Sequence, residues 1–587
     1  MSSHDPHGPS RVGPDRGPAP RRRGAAPDAR RTRRRGRGAW FALASGALIL
    51  VLLAAGVMVA FRQGTRPPSE LGPPGGSTPT PAAPGGVYRE GLVGVPTMLN
   101  PLLAADGPDR GLVALLFSGL TRVDTGGAIV PDLASSWKVE DDGRRYIFTL
   151  RDDATWHDGE RFTARDVLFT IRLLQDADFP GEGTLADFWR TVSVETPDDT
   201  TVICTLPRPY APFLAYTGVG ILPAHLLDAV KAGDLPNEPF NLQPVGTGPF
   251  KFAGLDPGRV EVVLERHDAY YGDQPRLEGL RFRFFPNTPA ALRAVGAGEI
   301  DGVGYIPPRY LAEAGAVADV ANVYGPSLSG YTALFFNLKL PVFAEREVRQ
   351  GLALAVDRDA LVGEALKGRG TPGSSPILPD SWAYTGAGLP QRPFDPERAR
   401  QTLERAGWRV GASGAREKGG QALAFTLLTD DDPARVAVAT LLARQLEAVG
   451  GKVTVSARPG GEVAGLVATR RFEAALSGWE GLAGDPDPYQ MWHSSQAETG
   501  YNFAGYSNPE ADEALAQARL TTDQERRKAH YATFLKLFAT DVPSIVLYYP
   551  QYHFAVSKRV NGVRLDPLNE PADRFRRIAE WQLAPAQ

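Results

Sequence analysis

The chain has 587 residues, 43% hydrophobic and 22% charged, an ordinary globular composition long enough for more than one packed lobe. Its formal charge of −3 is unevenly placed: residues 1–38 hold eleven arginines against Asp5, Asp15 and Asp28, a balance of +8 that leaves −11 on the rest. The acidic remainder argues against a nucleic-acid surface on the folded part, and Cys204, the only cysteine, excludes an intramolecular disulfide.

Residues 1–38 are rich in Pro, Gly and Arg, cannot bury a core, and are expected to form a disordered cytoplasmic arm. Residues 39–61 carry no charge, and their length suits a transmembrane helix of roughly 20 residues. Trp40 and Phe61 stand at its ends, where aromatic side chains favour the membrane interface. Arginines before this run outnumber Arg62 and Arg66 after it, which keeps the N-terminus in the cytoplasm. A cleaved signal peptide is the competing reading. Its apolar region would span about 7–15 residues and end at an A-x-A-like site. This run is longer, no good site follows, and no cysteine follows for lipid attachment, so an uncleaved anchor is expected. Residues 62–86, with Pro67-Pro68 and Pro73-Pro74, read as a semi-extended tether that places the remainder outside the cytoplasm.

The folded part begins near Val87, and Leu99-Asn100-Pro101-Leu102 ends its first apolar stretch at a turn. Residues 137–140 and 146–150 form a hairpin around Asp141-Asp142-Gly143. Thr163 with Asp166 makes a capping box that opens a helix with Val167, Leu168, Ile171 and Leu174 on its apolar face. Residues 331–337 read as a buried strand, stopped by Pro341. A helix follows, with Val348, Leu352, Ala355 and Val356 inward and Glu345, Arg346, Glu347, Arg349 and Gln350 on the polar face. Helix 434–448 and strands 453–456 and 473–477 then alternate, which is an α/β layering. Residues 545–549 form another short apolar strand after Pro543.

Several motifs together resemble one family. They include 131–137, Trp156-His157-Asp158-Gly159, Ala164-Arg165-Asp166-Val167, Gly246-Thr247-Gly248-Pro249-Phe250 and Tyr270-Tyr271-Gly272. Gly298-Glu299-Ile300-Asp301, Phe336-Asn337, Ala406-Gly407-Trp408, Gly478-Trp479 and Tyr506-Ser507-Asn508-Pro509 follow in the expected order. The chain over roughly residues 88–575 thereby resembles the family 5 extracellular solute-binding proteins, the peptide- and nickel-type receptors of ABC importers. The resemblance implies an α/β, two-lobed, type II periplasmic-binding-protein-like fold with an extra inserted subdomain. The first lobe would cover 87–335 with its insert at about 126–245, the second 336–546, and 547–587 would return to the first. Hinge crossings are expected near 335–337 and 547–549.

No catalytic set or cofactor site emerges. The eight histidines lack H-E-x-x-H or helical pairing, Gly246-Thr247-Gly248 has no P-loop lysine, and 325–330 has the wrong spacing for a nucleophile elbow. Asp485-Pro486-Asp487-Pro488 resembles the start of a calcium loop but lacks its later ligands. Trp156-His157-Asp158-Gly159 reads as a structural turn. Ligand contacts are expected from Tyr331, Trp382 and Trp479, which offer flat apolar faces, and from Asn100, Thr332, Asp485 and Asp487, which offer hydrogen bonds. Gly478 and Gly481 beside Trp479 suggest a loop.

The expected activity is capture of peptides or similar solutes for ABC permease subunits, by a monomer, without bond chemistry. A ligand sensor or scaffold signalling to a membrane partner is the alternative, motivated by the long arm, and a secreted hydrolase is disfavoured. In di- and oligopeptide-binding relatives an aspartate three residues after the cleft tryptophan pairs with the substrate's ammonium group; here that position is Leu482. Thr429 falls where dipeptide-binding relatives hold the carboxylate with an arginine. These departures point away from a short peptide gripped by both charged ends and toward a longer or blocked peptide or an uncharged solute; the alternatives are that Glu480 or Asp485 substitutes for the missing acid, or that the local register differs by a gap.

Overall fold

The computed structural model describes residues 85–584, apart from 105–106, 257–259 and 482–483. The arginine-rich arm, the expected anchor, most of the tether and Leu482 lie outside the described residues. Within them, no helix is long and apolar enough to cross a membrane.

Two large sheets organise the chain. The first runs in the order Ala321–Tyr324, Phe554–Ser557, Gly302–Val303, Val87–Val93, Gly279–Phe285, Glu261–Arg266 and Phe250–Asp256. The second runs Thr371–Pro372, Ser544–Tyr549, Gly330–Phe336, Ala474–Glu480, Ala424–Asp430 and Lys452–Arg458. A four-stranded sheet, Ala134–Glu140, Arg145–Leu150, Thr201–Thr205 and Ser193–Asp198, belongs to a subdomain inserted between strands of the first sheet. Helix Ala164–Gln175 packs on it; Asp166 Oδ2 accepts from the Thr163 N–H at 2.9 Å, and Asp166 Oδ1 accepts from Ala224 N at 2.9 Å. The same cap thus starts the helix and ties down the segment beside it. Gly246 and Gly248 lie against the Leu115–Leu116 backbone, where a Cβ on Gly246 would fall 1.8 Å from the Leu116 carbonyl. Close packing, not phosphate binding, accounts for this G-x-G. His157, from the Trp156-His157-Asp158-Gly159 turn, accepts from the Gly246 N–H at 3.0 Å and holds that loop in place.

Strand Gly330–Phe336 is buried along its whole length. Alternation sends Leu334 and Phe336 to a core with Phe343, Val348 and Leu352, and Tyr331, Ala333 and Phe335 to one with Trp492 and Phe538. It pairs antiparallel with Ala474–Glu480 on one edge and Ser544–Tyr549 on the other. A strand with a core on both faces reads as a continuous apolar run. Both Gly330–Phe336 and Ser544–Tyr549 lie wholly in the second sheet, so the chain crosses at 325–329 and returns at 550–553, rather than at 335–337 and 547–549.

Helix Arg346–Leu354 follows Pro341, with Val348 and Leu352 inward as their spacing requires. Arg349 departs from the expected polar face. It is buried and donates to the carbonyls of Phe343 at 2.7 Å, Ala344 at 3.0 Å, Asp541 at 2.7 Å and Val542 at 3.0 Å. Helix Gln524–Asp541 ends there with Val542 in the left-handed region, leaving carbonyls that a cation can satisfy. Arg349→Ala should therefore cost about 3 kcal/mol by orphaning these acceptors. Arg346→Ala, whose side chain is half exposed and 3.5 Å from Asp541, should cost less than about 1 kcal/mol. Urea unfolding of the two variants checks this; equal midpoints would contradict it.

Candidate ligand cleft

The two crossings are bonded to each other. Tyr552 N donates to Pro326 O at 3.0 Å and Leu328 N to Pro550 O at 3.0 Å, while Gly481 N from the second lobe donates to Ser329 O at 2.9 Å. Two cavities flank this junction. Leu328 lines the larger, of about 760 Å³, and Ser327 and Ser329 line the smaller, of about 310 Å³.

The larger cavity is walled by 304–310 and 550–553 on the first-sheet side, and by Thr332, 365–369, 432–435, Glu480 and Tyr548 on the second-sheet side. Tyr305, about half exposed, stacks on Tyr552 with centroids 5.2 Å apart. Its hydroxyl is held above the usual range by burial and by the Glu480 carboxylate. Burial also raises Tyr548, and burial with the nearby Arg369 charge pushes His553 down to about 4, so His553 is neutral at pH 7. The lobes are bridged beside this cavity: Arg369 Nη1 donates to Pro308 O at 2.7 Å, and Arg309 stands 3.7 Å from Asp432. Asp432 also caps helix Pro433–Glu447 through its other oxygen. Elsewhere the inserted subdomain touches the second lobe, with Ala211 N donating to Arg519 O at 2.7 Å and Arg519 lying 5.4 Å from the Tyr210 ring.

The smaller cavity brings together Trp382, Asp485 and Asp487. Both carboxylates already have partners. Asp485 is bidentate to Arg527 at 2.5 and 2.6 Å, and Asp487 accepts from Arg519 Nε at 2.6 Å. Arg527 in turn sits 5.1 Å from the Trp382 ring, and Arg519 3.7 Å from the Tyr489 ring. All four ion-pair side chains are largely buried, so these contacts fix the wall of the cavity.

The expected ligand residues separate accordingly. Thr332 lines the larger cavity, and Trp382, Asp485 and Asp487 the smaller. Asn100 is fully buried; its Nδ2 donates to Asn241 and its Oδ1 accepts from Leu102 N, so it builds a turn. Tyr331 is 1% exposed, and its hydroxyl accepts from Trp492 Nε1 at 3.2 Å inside the core. Trp479 lines neither cavity. It lies in a strand rather than a loop and stacks on Phe503 at 5.0 Å. Gly478 is there because a Cβ would meet the Tyr331 carbonyl at 2.3 Å; the glycine marks a close strand approach. Sequence reasoning missed Tyr305, Arg309, Arg369, Arg435 and His553 as cleft residues. Of these only Arg369 carried a usable signal, a cation between two glycines in a loop.

Comparison with known proteins agrees with this architecture. The family model described as bacterial extracellular solute-binding proteins, family 5 middle, matches residues 128–501. The oligopeptide-binding protein AppA of Bacillus subtilis is 31% identical over 512 residues, covering 85% of this chain and 92% of that protein. Its structure, in complex with a nonapeptide, superposes with a TM-score of 0.67 at 29% identity, over 85% of this chain and 99% of that one. NikZ of Campylobacter jejuni, in complex with Ni(L-His), gives 0.70 at 29% identity, over 84% and 99%. The α/β periplasmic-binding-protein fold accounts for the two sheets and the double crossing. The chain belongs to the family 5 bacterial extracellular solute-binding proteins, binding proteins of ABC importers and not enzymes.

Proposed function

We propose that the chain is a membrane-anchored receptor that captures peptides or similar solutes between its lobes and presents them to ABC permease subunits. The supporting observation is the larger cavity, walled by both lobes at the paired crossings, with a volume of about 760 Å³. That volume lies within the range of small-ligand sites, roughly 300–1,000 Å³. Relatives provide the solute class: AppA is named for oligopeptides, and NikZ is described with a nickel–histidine complex. Binding would favour the closed arrangement through contacts that exist only when both walls meet the ligand.

The anchor rests on the uncharged run 39–61 with arginines before it. Full-length protein should fractionate with membranes and keep its N-terminus; a mature N-terminus beyond Phe61 would contradict the anchor.

In the smaller cavity Asp485 is committed to Arg527 and Asp487 to Arg519, so neither is free for a peptide's ammonium group. Peptides retained by the purified chain from a proteolysed lysate provide the test. N-acetylation of a retained peptide should change its affinity, measured by calorimetry, less than about tenfold, or 1.4 kcal/mol. Asp485→Asn should act on stability instead, costing about 3–5 kcal/mol because Arg527 is left buried without its counter-charge. A larger loss on acetylation would establish an amine anchor, and retention of no peptide would sink the peptide reading.

A further inference from the structure

The larger cavity contains a cation that the protein itself leaves unneutralised. Arg369 stands between Gly368 and Gly370, both at positive φ. Among the described residues its guanidinium has one hydrogen bond, to the Pro308 carbonyl, and no ion pair. Arg435 has only Asp430 at 3.4 Å, without a hydrogen bond. Arg574 contrasts with both, being buried and bonded to Glu90 at 2.6 Å. A second observation is independent of charge. His553 lines the same cavity, is 92% buried by its 8% exposure, and its Nδ1 has no hydrogen-bond partner. A buried polar nitrogen without a partner is costly, and a ligand oxygen would satisfy it. In the Nδ1–H tautomer the neutral imidazole donates.

Carboxylates also line the cavity and constrain where an anion can sit. Asp432 is engaged by Arg309 and by its helix cap, while Glu480 lies near Tyr305. An anion beside Glu480 would be repelled, whereas among the described residues no carboxylate is bonded to or ion-paired with Arg369 or His553. We propose that the cleft recognises a carboxylate on its solute through Arg369, with Arg435 and the His553 imidazole as further donors. This rests on the cleft being the solute site. It makes Arg369 a specificity residue, so the solute is held by an anion rather than by an amine.

The test uses the full-length chain with short N-acetylated alanine peptides, each present as the free acid and as the C-terminal amide, retained species being quantified by mass spectrometry. Succinate in a thermal-melting assay is the small-carboxylate arm. Free acids should be retained about tenfold over amides. Arg369→Gln should bring that ratio close to unity, and Arg435→Gln should lower it by a smaller factor. Equal retention of acid and amide by the unmodified chain would overturn the proposal, as would a preference that survives both substitutions. Should no peptide be retained, a melting-temperature rise with succinate that is lost in Arg369→Gln would support the carboxylate site while sinking the peptide reading. No rise with succinate in that case would overturn both.

Discussion

The cleft depends on how the backbone of two crossing segments is satisfied. Residues 325–329 and 550–553 leave one sheet for the other and so lose ladder partners where they cross. They recover them from each other, Tyr552 with Pro326 and Leu328 with Pro550. A buried backbone group without a partner would cost free energy comparable to a lost hydrogen bond, so the crossings are held side by side. Pro326 and Pro550, which lack an N–H, sit where ordinary strand pairing stops. Both cavities border this junction, Leu328 lining one and Ser327 and Ser329 the other.

Around that constraint, much of the fold was legible in the sequence. Leu334 and Phe336 alternate with Tyr331, Ala333 and Phe335, a pattern that only a strand covered on both faces explains. Val348 and Leu352 at helical spacing placed the next helix, and the Thr163–Asp166 box placed another. Local chemistry decides such features, so local sequence reveals them. The position of the crossing was misjudged because an apolar strand announces itself more loudly than the short polar link before it. Arg349 shows the same blind spot. Helical periodicity put it outward, whereas its inward position depends on carbonyls at the end of a helix nearly two hundred residues later, together with those of Phe343 and Ala344.

Little of the cleft could be read in this way. Asp485 and Asp487 looked like free acceptors because Arg519 and Arg527, which occupy them, come from later helices. Trp479 looked exposed because glycine was taken as a loop signal, when the adjoining strand needed the space. Conversely, Arg369, Arg435 and His553 have no spacing in common; only the fold brings them to one cavity. Side-chain availability is a tertiary property. The resemblance to a family indicated where a cleft should be, and the hydrogen bonds determine which of its side chains remain free to bind.

The central claim is that two lobes close on a solute about the paired crossings. Cys204 is fully buried, so cysteines introduced at exposed Glu278, beside the first sheet, and Lys452, at the edge of the second, can be labelled selectively. Energy transfer between the labels should fall when bound solute is stripped in mild denaturant and rise again when it is returned after refolding. Equal transfer efficiency in both states would contradict lobe closure.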